Sequence, residues 1–286
     1  MDSEHQAAHN VAAIRETLDR EGYCVVPGML TKAQCAAARA ALDRCAAEDE
    51  ASNRSWTYDE GSNRRIWALL NRDDEVFAPL ATHPLLIELM EDLLGPGFTL
   101  GSIHAHITGP GGLAGGLHLD QGYLPNPLTR SCTFNSVWMI DAFTAENGAT
   151  RGVPGSHKMQ RSPTDEDRAN VKPIPMTGEE GSLLLMDGRF WHHTGANCSN
   201  VQRRGVFGVF NEYWIRGGEN WTVSMPPEVL ARHPELTKLC GFQSYNTLGS
   251  INGVDISLLP KTESLGSVTL DVQRERARKA AAAAMN

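Results

Sequence analysis

Two histidines and one aspartate in this chain have residue types and spacing suited to binding a metal. His118 and Asp120 lie two positions apart in the glycine-rich segment GGLAGGLHLDQGYLP, and His192 lies far downstream in DGRFWHHTGAN. Two imidazoles and one carboxylate on one face of a metal leave the opposite face open, which is the ligand arrangement of non-heme Fe(II) oxygenases. A His-x-Asp tripeptide also occurs by chance in many chains, and a loop histidine beside an N-capping aspartate is the alternative interpretation.

The backbone around His118 and Asp120 must present both side chains to one ion. In an extended strand, residues i and i+2 point to the same side, so we expect His118 and Asp120 to face the metal while Leu119 points into apolar packing. One strand cannot surround a metal. The third ligand must therefore come from another strand, and His192 is the candidate.

An arginine pair follows the second histidine. The segment GVFGVFNEYW places Val206, Gly208 and Phe210 at period two, which predicts a strand. Arg203 and Arg204 stand directly before it, and an arginine at the start of a buried strand needs a partner for its permanently charged guanidinium. A small dicarboxylate would supply a bidentate charge-assisted contact. A solvated strand start, or a carboxylate of the chain itself, is the alternative.

Taken in order, these motifs resemble those of the phytanoyl-CoA dioxygenase (PhyH-like) family of Fe(II)/2-oxoglutarate oxygenases. His118-x-Asp120 matches the first two iron ligands of the family. The segment DAFTAENGATRGVPGSHK matches its central block, and GSLLLMDGRFWHHTGAN followed by Arg203 matches its last ligand and its cosubstrate arginine. The resemblance covers roughly residues 20–215, and the combination is far more specific than any one motif.

The resemblance implies a role for each matched residue. His118, Asp120 and His192 would bind Fe(II), Arg203 would hold the far carboxylate of 2-oxoglutarate, and Thr150 in the block would lie near that cosubstrate. O₂ would be the second cosubstrate, and succinate and CO₂ would be released. The reaction would oxidise, and most simply hydroxylate, an unactivated C–H bond, with desaturation, ring formation and rearrangement left open.

The family's spacing also decides between adjacent candidates. Counted from Asn197 of the Gly-Ala-Asn motif, it selects His192 over His193 as the iron ligand. Counted from His192, it selects Arg203 over Arg204.

Four further residues are candidates for contacting the substrate. Some relatives carry a glutamine three residues before the first ligand, where this chain has Gly115, and Gln121 or His104 or His106 could replace that contact. A basic residue before the apolar run of GSNRRIW could hold substrate or cosubstrate, and a bulky tryptophan could form a pocket wall. A surface ion pair, hydrogen-bonded strand histidines and core packing are the competing interpretations. The candidates are Arg65, Gln121, His104 and Trp138.

Composition excludes several classes of partner. The chain has 286 residues, 41 % of them hydrophobic and 21 % charged, as in an ordinary globular protein. Its formal net charge of −8 argues against a nucleic-acid partner. No stretch approaches the roughly 20 apolar residues of a membrane span, and no signal peptide is visible. Six cysteines without Cys-x-x-Cys pairs favour a cytoplasmic protein with reduced thiols. The oligomeric state stays open, a homodimer included.

The elements that must position these residues change in character along the chain. Helical patterns dominate up to about residue 98, with a capping box at Thr31 and Gln34. Short apolar stretches separated by Gly, Pro and Asn follow, which indicates a β-sandwich or barrel. The resemblance implies a mainly β fold, a double-stranded β-helix (jelly roll, cupin-like) with flanking helices. We expect one domain over 1–286, with N-terminal helices to about 98, a jelly-roll core over about 99–215 and a C-terminal extension over about 216–286.

A second class of function competes with the oxygenase. A jelly roll with another metal, or with none, could be a hydrolase or a ligand-binding module. Arg203 and the block containing Thr150 discriminate, because a hydrolase has no need of them. Since the chain has no evident basic cluster for a CoA phosphate, a small metabolite or natural-product intermediate is favoured over an acyl-CoA as the substrate.

Overall fold

The computed structural model describes residues 10–58 and 62–250, and it begins with a mainly helical part. The helices of this part are α1 (Val11–Glu21), α2 (Lys32–Ala51), α3 (Asp74–Ala81) and α4 (Pro84–Leu94). Its short strands are β1 (Tyr23–Val26), β2 (Trp56–Tyr58) and β3 (Asn63–Ile66).

The rest of the described chain is mainly β. Its strands are β4 (Thr99–Thr108), β5 (Thr133–Met139), β6 (Thr150–Gly152), β7 (Ile174–Pro175), β8 (Leu183–Asp187), β9 (His192–Thr194) and β10 (Arg203–Asn211). Its helices are short, namely α5 (Asp165–Asn170), α6 (Trp221–Ser224), α7 (Pro227–Arg232) and α8 (Leu236–Leu239).

Local sequence explains where the longer helices begin and end. Thr31 caps α2 with the predicted capping box, because its hydroxyl accepts from the Gln34 backbone N–H while the Gln34 side chain accepts from the Thr31 N–H. α4 starts at Pro84, whose missing N–H costs nothing in a first turn. It stops before Gly95, which has a φ of +81°.

The C-terminal extension differs from its prediction. The sequence predicts one helix from about Pro227 to Cys240, but α7 ends at Arg232 and α8 begins at Leu236. Pro234 explains the break, since proline lacks an N–H and disfavours helical geometry in the residue before it. The charged, alanine-rich tail VQRERARKAAAAAMN is also predicted from its sequence to be helical, and it lies outside the described residues.

Two antiparallel sheets form the centre of the molecule. The larger sheet has the strand order β1-β8-β5-β10-β4-β3-β2, and the smaller one has the order β7-β6-β9. β10 lies in the middle of the larger sheet and pairs with β4 on one side and β5 on the other. The predicted jelly roll with flanking helices is confirmed.

The strands β4, β5 and β8 of the larger sheet are buried on both faces. Its helix-facing side chains include Ala105, Trp138 and Val206, which belong to the main apolar core with α2, α3 and α4. The alternate residues point to the smaller sheet, where Val137 and Met186 pack with Phe190. Because side chains alternate along a strand, the second set walls the interior in which a site can form. Among the described residues, no helix is both long and apolar enough to cross a membrane.

The β2–β3 hairpin is an element that the sequence patterns did not predict. β3 pairs with the outer edge of β4, so Arg65 lies opposite His106. β2 pairs with β3 in turn, so Trp56 lies opposite Arg65. Directly opposed residues of antiparallel strands share a face. The hairpin therefore extends the interior wall of the larger sheet beyond β4.

Candidate active site

The three predicted metal ligands meet at the edge of the smaller sheet. The Nε2 atom of His118 lies 3.6 Å from Oδ1 of Asp120, and the Nε2 atom of His192 lies 3.5 Å from Oδ2 of the same carboxylate. One ligand atom from each residue fits within 4.8 Å of the others. His192 is buried, Asp120 is half-buried and His118 is exposed, so the cluster opens to solvent on one side.

A backbone bridge joins the two ligand histidines. The His118 N–H donates to the His192 carbonyl at 3.0 Å, and the His192 N–H donates back at 2.8 Å. The predicted strand at the His-x-Asp motif is therefore a single bridge beside β9, and Asp120 already begins a turn. The turn is tied down because the Gln121 N–H donates to the Gly188 carbonyl. Leu119 packs into an apolar cluster, as predicted.

Hydrogen bonds orient both imidazoles toward the carboxylate. Nδ1 of His118 lies 2.8 Å from the Gly116 carbonyl, and Nδ1 of His192 lies 3.0 Å from the Phe190 carbonyl. A carbonyl can only accept, so each Nδ1 carries the proton and each Nε2 keeps a free lone pair. Burial lowers the pKa of His192, an effect that Asp120 opposes. A neutral imidazole is the form that binds metals.

His193 has a different environment from its neighbour. It lies opposite Arg151 in the pairing of β9 with β6, and its Nδ1 bonds to the Thr194 carbonyl at 2.9 Å. Successive strand residues face opposite sides, so His193 points away from the cluster that contains His192. The geometry agrees with the assignment of His192 from the sequence spacing.

Asn135 on β5 is a site residue that the sequence reasoning missed. Its Nδ2 donates to Oδ2 of Asp120 at 2.5 Å, and the side chain is buried. Its Oδ1 is also buried and has no hydrogen-bond partner among the residues that the structure describes. An asparagine inside an apolar strand is the only sequence signal of this contact, and it does not identify the partner.

Replacing Asn135 with leucine should weaken metal binding while leaving the fold intact. The change removes the donor that orients Asp120 but keeps a side chain of similar size. Loss of such a supporting contact typically costs about 10- to 100-fold in metal affinity. Chelator competition with Co(II) would measure it, with Ser136→Ala on the opposite face of β5 as the control. An unchanged dissociation constant in a variant that folds normally would show that Asn135 does not position the carboxylate.

Arg203 is buried without a counter-ion among residues 10–58 and 62–250. The residue is 0 % exposed and lies against the Phe143 ring, its Cζ 4.4 Å from the ring centroid. Its Nη2 donates to Thr108 Oγ1 at 3.0 Å and to the Gly148 carbonyl at 2.5 Å. Within the described part of the chain, Nε and Nη1 have no hydrogen-bond partner and no carboxylate lies within ion-pair distance. Burial lowers the pKa of Arg203 to about 10.

Two asparagine turns hold the surroundings of Arg203. Asn147 accepts from the Thr144 N–H and donates to the Ala142 carbonyl, and it precedes Gly148, which has a φ of +84°. This turn presents the Gly148 carbonyl to the guanidinium. Asn197 donates to the Thr108 and Val201 carbonyls and so closes the loop that leads into β10.

The neighbouring arginine has an ordinary structural environment. Arg204 forms ion pairs with Asp43 at 2.9 Å and with Asp141 at 3.1 Å. Its charge is therefore already compensated. Thr150 is buried on β6, opposite Thr194 and two residues after Gly148.

Two of the four residues predicted to contact the substrate, Gln121 and Trp138, make structural contacts instead. The Gln121 amide is buried, donates to the Arg130 carbonyl at 2.8 Å and accepts from the Cys132 N–H at 2.7 Å, so it ties together the loop after Asp120. Trp138 is 1 % exposed and packs into the helix-side core, its ring 5.4 Å from that of His83. The structure does not bring Trp138 to the cluster, because β5 points this side chain to the other face of the sheet.

The other two predicted contacts line the interior wall. His104 stacks with Phe207, with ring centroids 5.7 Å apart, and its Nδ1 lies 3.3 Å from Ser102 Oγ. Burial, assisted by the charge of Arg65, lowers the pKa of His104 to about 3, while Asp120 opposes this shift. His104 is thus a neutral group within the electrostatic reach of both Arg65 and the metal cluster.

Comparison with known proteins identifies the family. Residues 18–205 match the phytanoyl-CoA dioxygenase (PhyH) family. The chain belongs to this family, as the order of its motifs indicated.

Several named relatives are dioxygenases, and a solved structure shares the fold. The chain is 30 % identical to dioxygenase af480 of Aspergillus fumigatus over 54 % of this chain and 51 % of that protein. It is 32 % identical to dioxygenase aneA of Aspergillus aculeatus over 62 % and 64 % of the respective lengths. The matches thus span between half and two thirds of these relatives. HygX from Streptomyces hygroscopicus, solved with nickel, 2-oxoglutarate and hygromycin B, superposes with a TM-score of 0.59 at 18 % identity, over 72 % of this chain and 89 % of HygX.

Proposed function

We propose that this protein is an Fe(II)- and 2-oxoglutarate-dependent dioxygenase that hydroxylates an unactivated C–H bond of a small metabolite or natural-product intermediate. The observation that carries the proposal is the combination of a two-histidine, one-carboxylate cluster with a buried, uncompensated arginine inside one jelly roll. Family membership and the dioxygenase names of the relatives support the same class.

The residues present fit the implied metal and cosubstrate. His118, Asp120 and His192 supply two imidazole nitrogens and a carboxylate, the donor set of non-heme Fe(II). Arg203 has two buried nitrogen atoms, Nε and Nη1, without hydrogen-bond partners among the described residues, and a carboxylate is the acceptor that matches a guanidinium in charge and planar geometry. We assign the triad to Fe(II), Arg203 to the 5-carboxylate of 2-oxoglutarate, and Thr150 to the surroundings of that cosubstrate.

The chain contributes binding, orientation and exclusion of water. Bound in this site, Fe(II) with 2-oxoglutarate and O₂ supplies the oxidising chemistry, and succinate and CO₂ are released. Arg203 fixes one end of the cosubstrate in a dry interior, where a charge pair is stronger than in water. Asn135 holds the Asp120 carboxylate, and the two carbonyl-bonded Nδ1 atoms hold the imidazoles.

The alternative class of hydrolase or ligand-binding module accounts less well for Arg203. Burying an isolated guanidinium is costly, and a hydrolase has no use for one in this position. HygX was solved with a small molecule, hygromycin B, which supports a small-molecule substrate here. The six cysteines, all free thiols, support a reducing compartment such as the cytoplasm. The net charge of −8 gives no support to a nucleic-acid partner.

Anaerobic addition of Fe(II) and 2-oxoglutarate tests the proposal. We expect a weak metal-to-ligand charge-transfer band in the visible that requires both additions. Admission of O₂ should then yield succinate. A folded protein that gives neither the band nor succinate would overturn the assignment, and binding of Zn(II) in preference, with hydrolytic activity, would favour the alternative.

A further inference from the structure

His106 is a buried side chain whose two ring nitrogens have no hydrogen-bond partner in the described part of the chain. It is 7 % exposed, and its ring stacks on Phe207 in the interior between the two sheets. Buried polar atoms nearly always have a partner, so two unpartnered nitrogens in one ring indicate that a ligand or an ordered water lies beside them. The surroundings of His106 favour a ligand.

Two aromatic rings above Gly205, the residue opposite His106 on β10, bring His106 next to Arg203. A Cβ atom at this glycine would lie 2.9 Å from Phe143 Cζ and 3.1 Å from Phe207 Cε2, so the two rings share the space above it. The Arg203 guanidinium lies on the Phe143 ring. The His106 ring stacks on Phe207, with ring centroids 4.2 Å apart. The guanidinium and the imidazole are therefore neighbours on one aromatic floor.

Strand register gives the same placement. His106 and Thr108 are two residues apart on β4, so both side chains point into the interior from Cα atoms about 7 Å apart. Thr108 Oγ1 accepts a hydrogen bond from Arg203 Nη2 at 3.0 Å. His106 therefore flanks the guanidinium whose Nε and Nη1 atoms lack partners among the described residues.

His106 is neutral and lies between the two ends of the site. Burial is the main reason that the pKa of its imidazole lies well below the usual value, and four nearby basic groups lower it further, namely His104, Arg65, Arg203 and His118. Arg203 and His118 belong to opposite ends of the site, and His106 is within electrostatic reach of both. A neutral imidazole has one N–H donor and one acceptor nitrogen.

We propose that His106 binds the cosubstrate and donates a hydrogen bond to the 5-carboxylate of 2-oxoglutarate beside Arg203. The inference rests on the proposed function. A carboxylate has about four acceptor positions, more than the two unpartnered nitrogens of Arg203 can fill. A charge-assisted bond from the imidazole N–H fills another and fixes the orientation of the carboxylate. The second imidazole nitrogen remains an acceptor for a water molecule.

Calorimetric titration of the Ni(II)-loaded protein with 2-oxoglutarate tests this contact without turnover. His106→Leu should weaken the binding of 2-oxoglutarate by about 10- to 100-fold, the usual range for a hydrogen bond to a charged group. 2-Oxobutyrate has the metal-binding 2-oxo acid but no second carboxylate, so it should bind the wild type and His106→Leu alike. His106→Gln keeps a donor and an acceptor and should retain most of the affinity for 2-oxoglutarate.

Thermal unfolding of the metal-free proteins separates binding from folding. Leucine removes two unpartnered polar atoms from the interior, so metal-free His106→Leu should unfold at the wild-type temperature or above it. A purely structural histidine predicts the opposite pattern, a lower melting temperature with wild-type affinity for 2-oxoglutarate. His104→Leu is the matched control, because His104 shares the strand face of His106 but lies two residues further from Thr108. It should change the affinity for 2-oxoglutarate much less.

Two results would overturn the inference. The first is a folded His106→Leu protein that binds 2-oxoglutarate as tightly as the wild type does. The second is an equal loss of affinity for 2-oxoglutarate and 2-oxobutyrate, because His106 would then act at the metal-binding end of the cosubstrate. Both are distinguishable from failure of the proposed function, in which the wild-type protein would give no charge-transfer band with Fe(II) and 2-oxoglutarate.

Discussion

The His192→Ala variant is expected to lose Fe(II) binding, whereas His193→Ala keeps it. Loss of a contact that only supports a ligand can lower metal affinity by roughly 100-fold. Removing one of the three protein ligands themselves should therefore lower the Fe(II) affinity by more than that. His193 lies on the other side of β9 and bonds to the Thr194 carbonyl, so its loss leaves the cluster untouched. Equilibrium titration with Fe(II) under anaerobic conditions, or with Co(II) in air, measures both affinities.

The metal-free proteins provide the control for this comparison. His192 is buried, so the thermal unfolding of metal-free His192→Ala should be recorded before its affinity is interpreted. If the folded His192→Ala protein kept wild-type affinity while His193→Ala lost it, the assignment would be off by one residue.

Replacing Arg203 with alanine should produce the second large effect, a much higher requirement for 2-oxoglutarate. Removing one partner of a buried charge pair costs about 2–5 kcal/mol, which corresponds to roughly 30-fold to several thousand-fold in the dissociation constant. Metal binding should persist, because Arg203 is not a ligand. Titration of the charge-transfer band with 2-oxoglutarate gives the affinity directly and without turnover.

Arg204→Ala is the matched control for this variant. Arg204 pairs with Asp43 and Asp141, so its loss should lower stability without changing the requirement for 2-oxoglutarate. A second readout comes from thermal unfolding, since a ligand that binds only the folded state raises the melting temperature. We expect 2-oxoglutarate to raise the melting temperature of the wild type and of Arg204→Ala but not that of Arg203→Ala. The opposite pattern for the two arginines would contradict the assignment.

Much of the fold could be predicted from local patterns. The capping box of α2, the end of α4 at Gly95 and the strands around β5, β8 and β10 follow from signals confined to a few residues. The break at Pro234 was missed although its signal was present. The β2–β3 hairpin was missed because its strands have three and four residues, too few for a period-two pattern to stand out.

Some candidate site residues could likewise be identified from local sequence patterns, and others could not. The residues that belong to short motifs, such as His118-x-Asp120 and the segment with His192, were identified from the sequence. The structure brings His118, Asp120 and His192 together. Asn135 was missed because it lies on a long strand among many similar positions, and its importance depends on the residue that faces it across the interior. Trp138 was predicted to form a pocket wall because of its size. Side chains alternate along β5, however, and Trp138 points into the core on the helix side of the sheet.

The sequence by itself determined which candidate ligand types are present and their order, and its resemblance to the family favoured His192 and Arg203 over their neighbours. These features are local, since they depend on spacing along the chain. Only the tertiary structure decided that Asn135 reaches Asp120, that Arg203 has no counter-ion in the described part of the chain, and that Arg65 shares a wall with two exposed tryptophans. Such contacts join residues far apart in the chain, and strand register and sheet face, which no short motif encodes, bring them together.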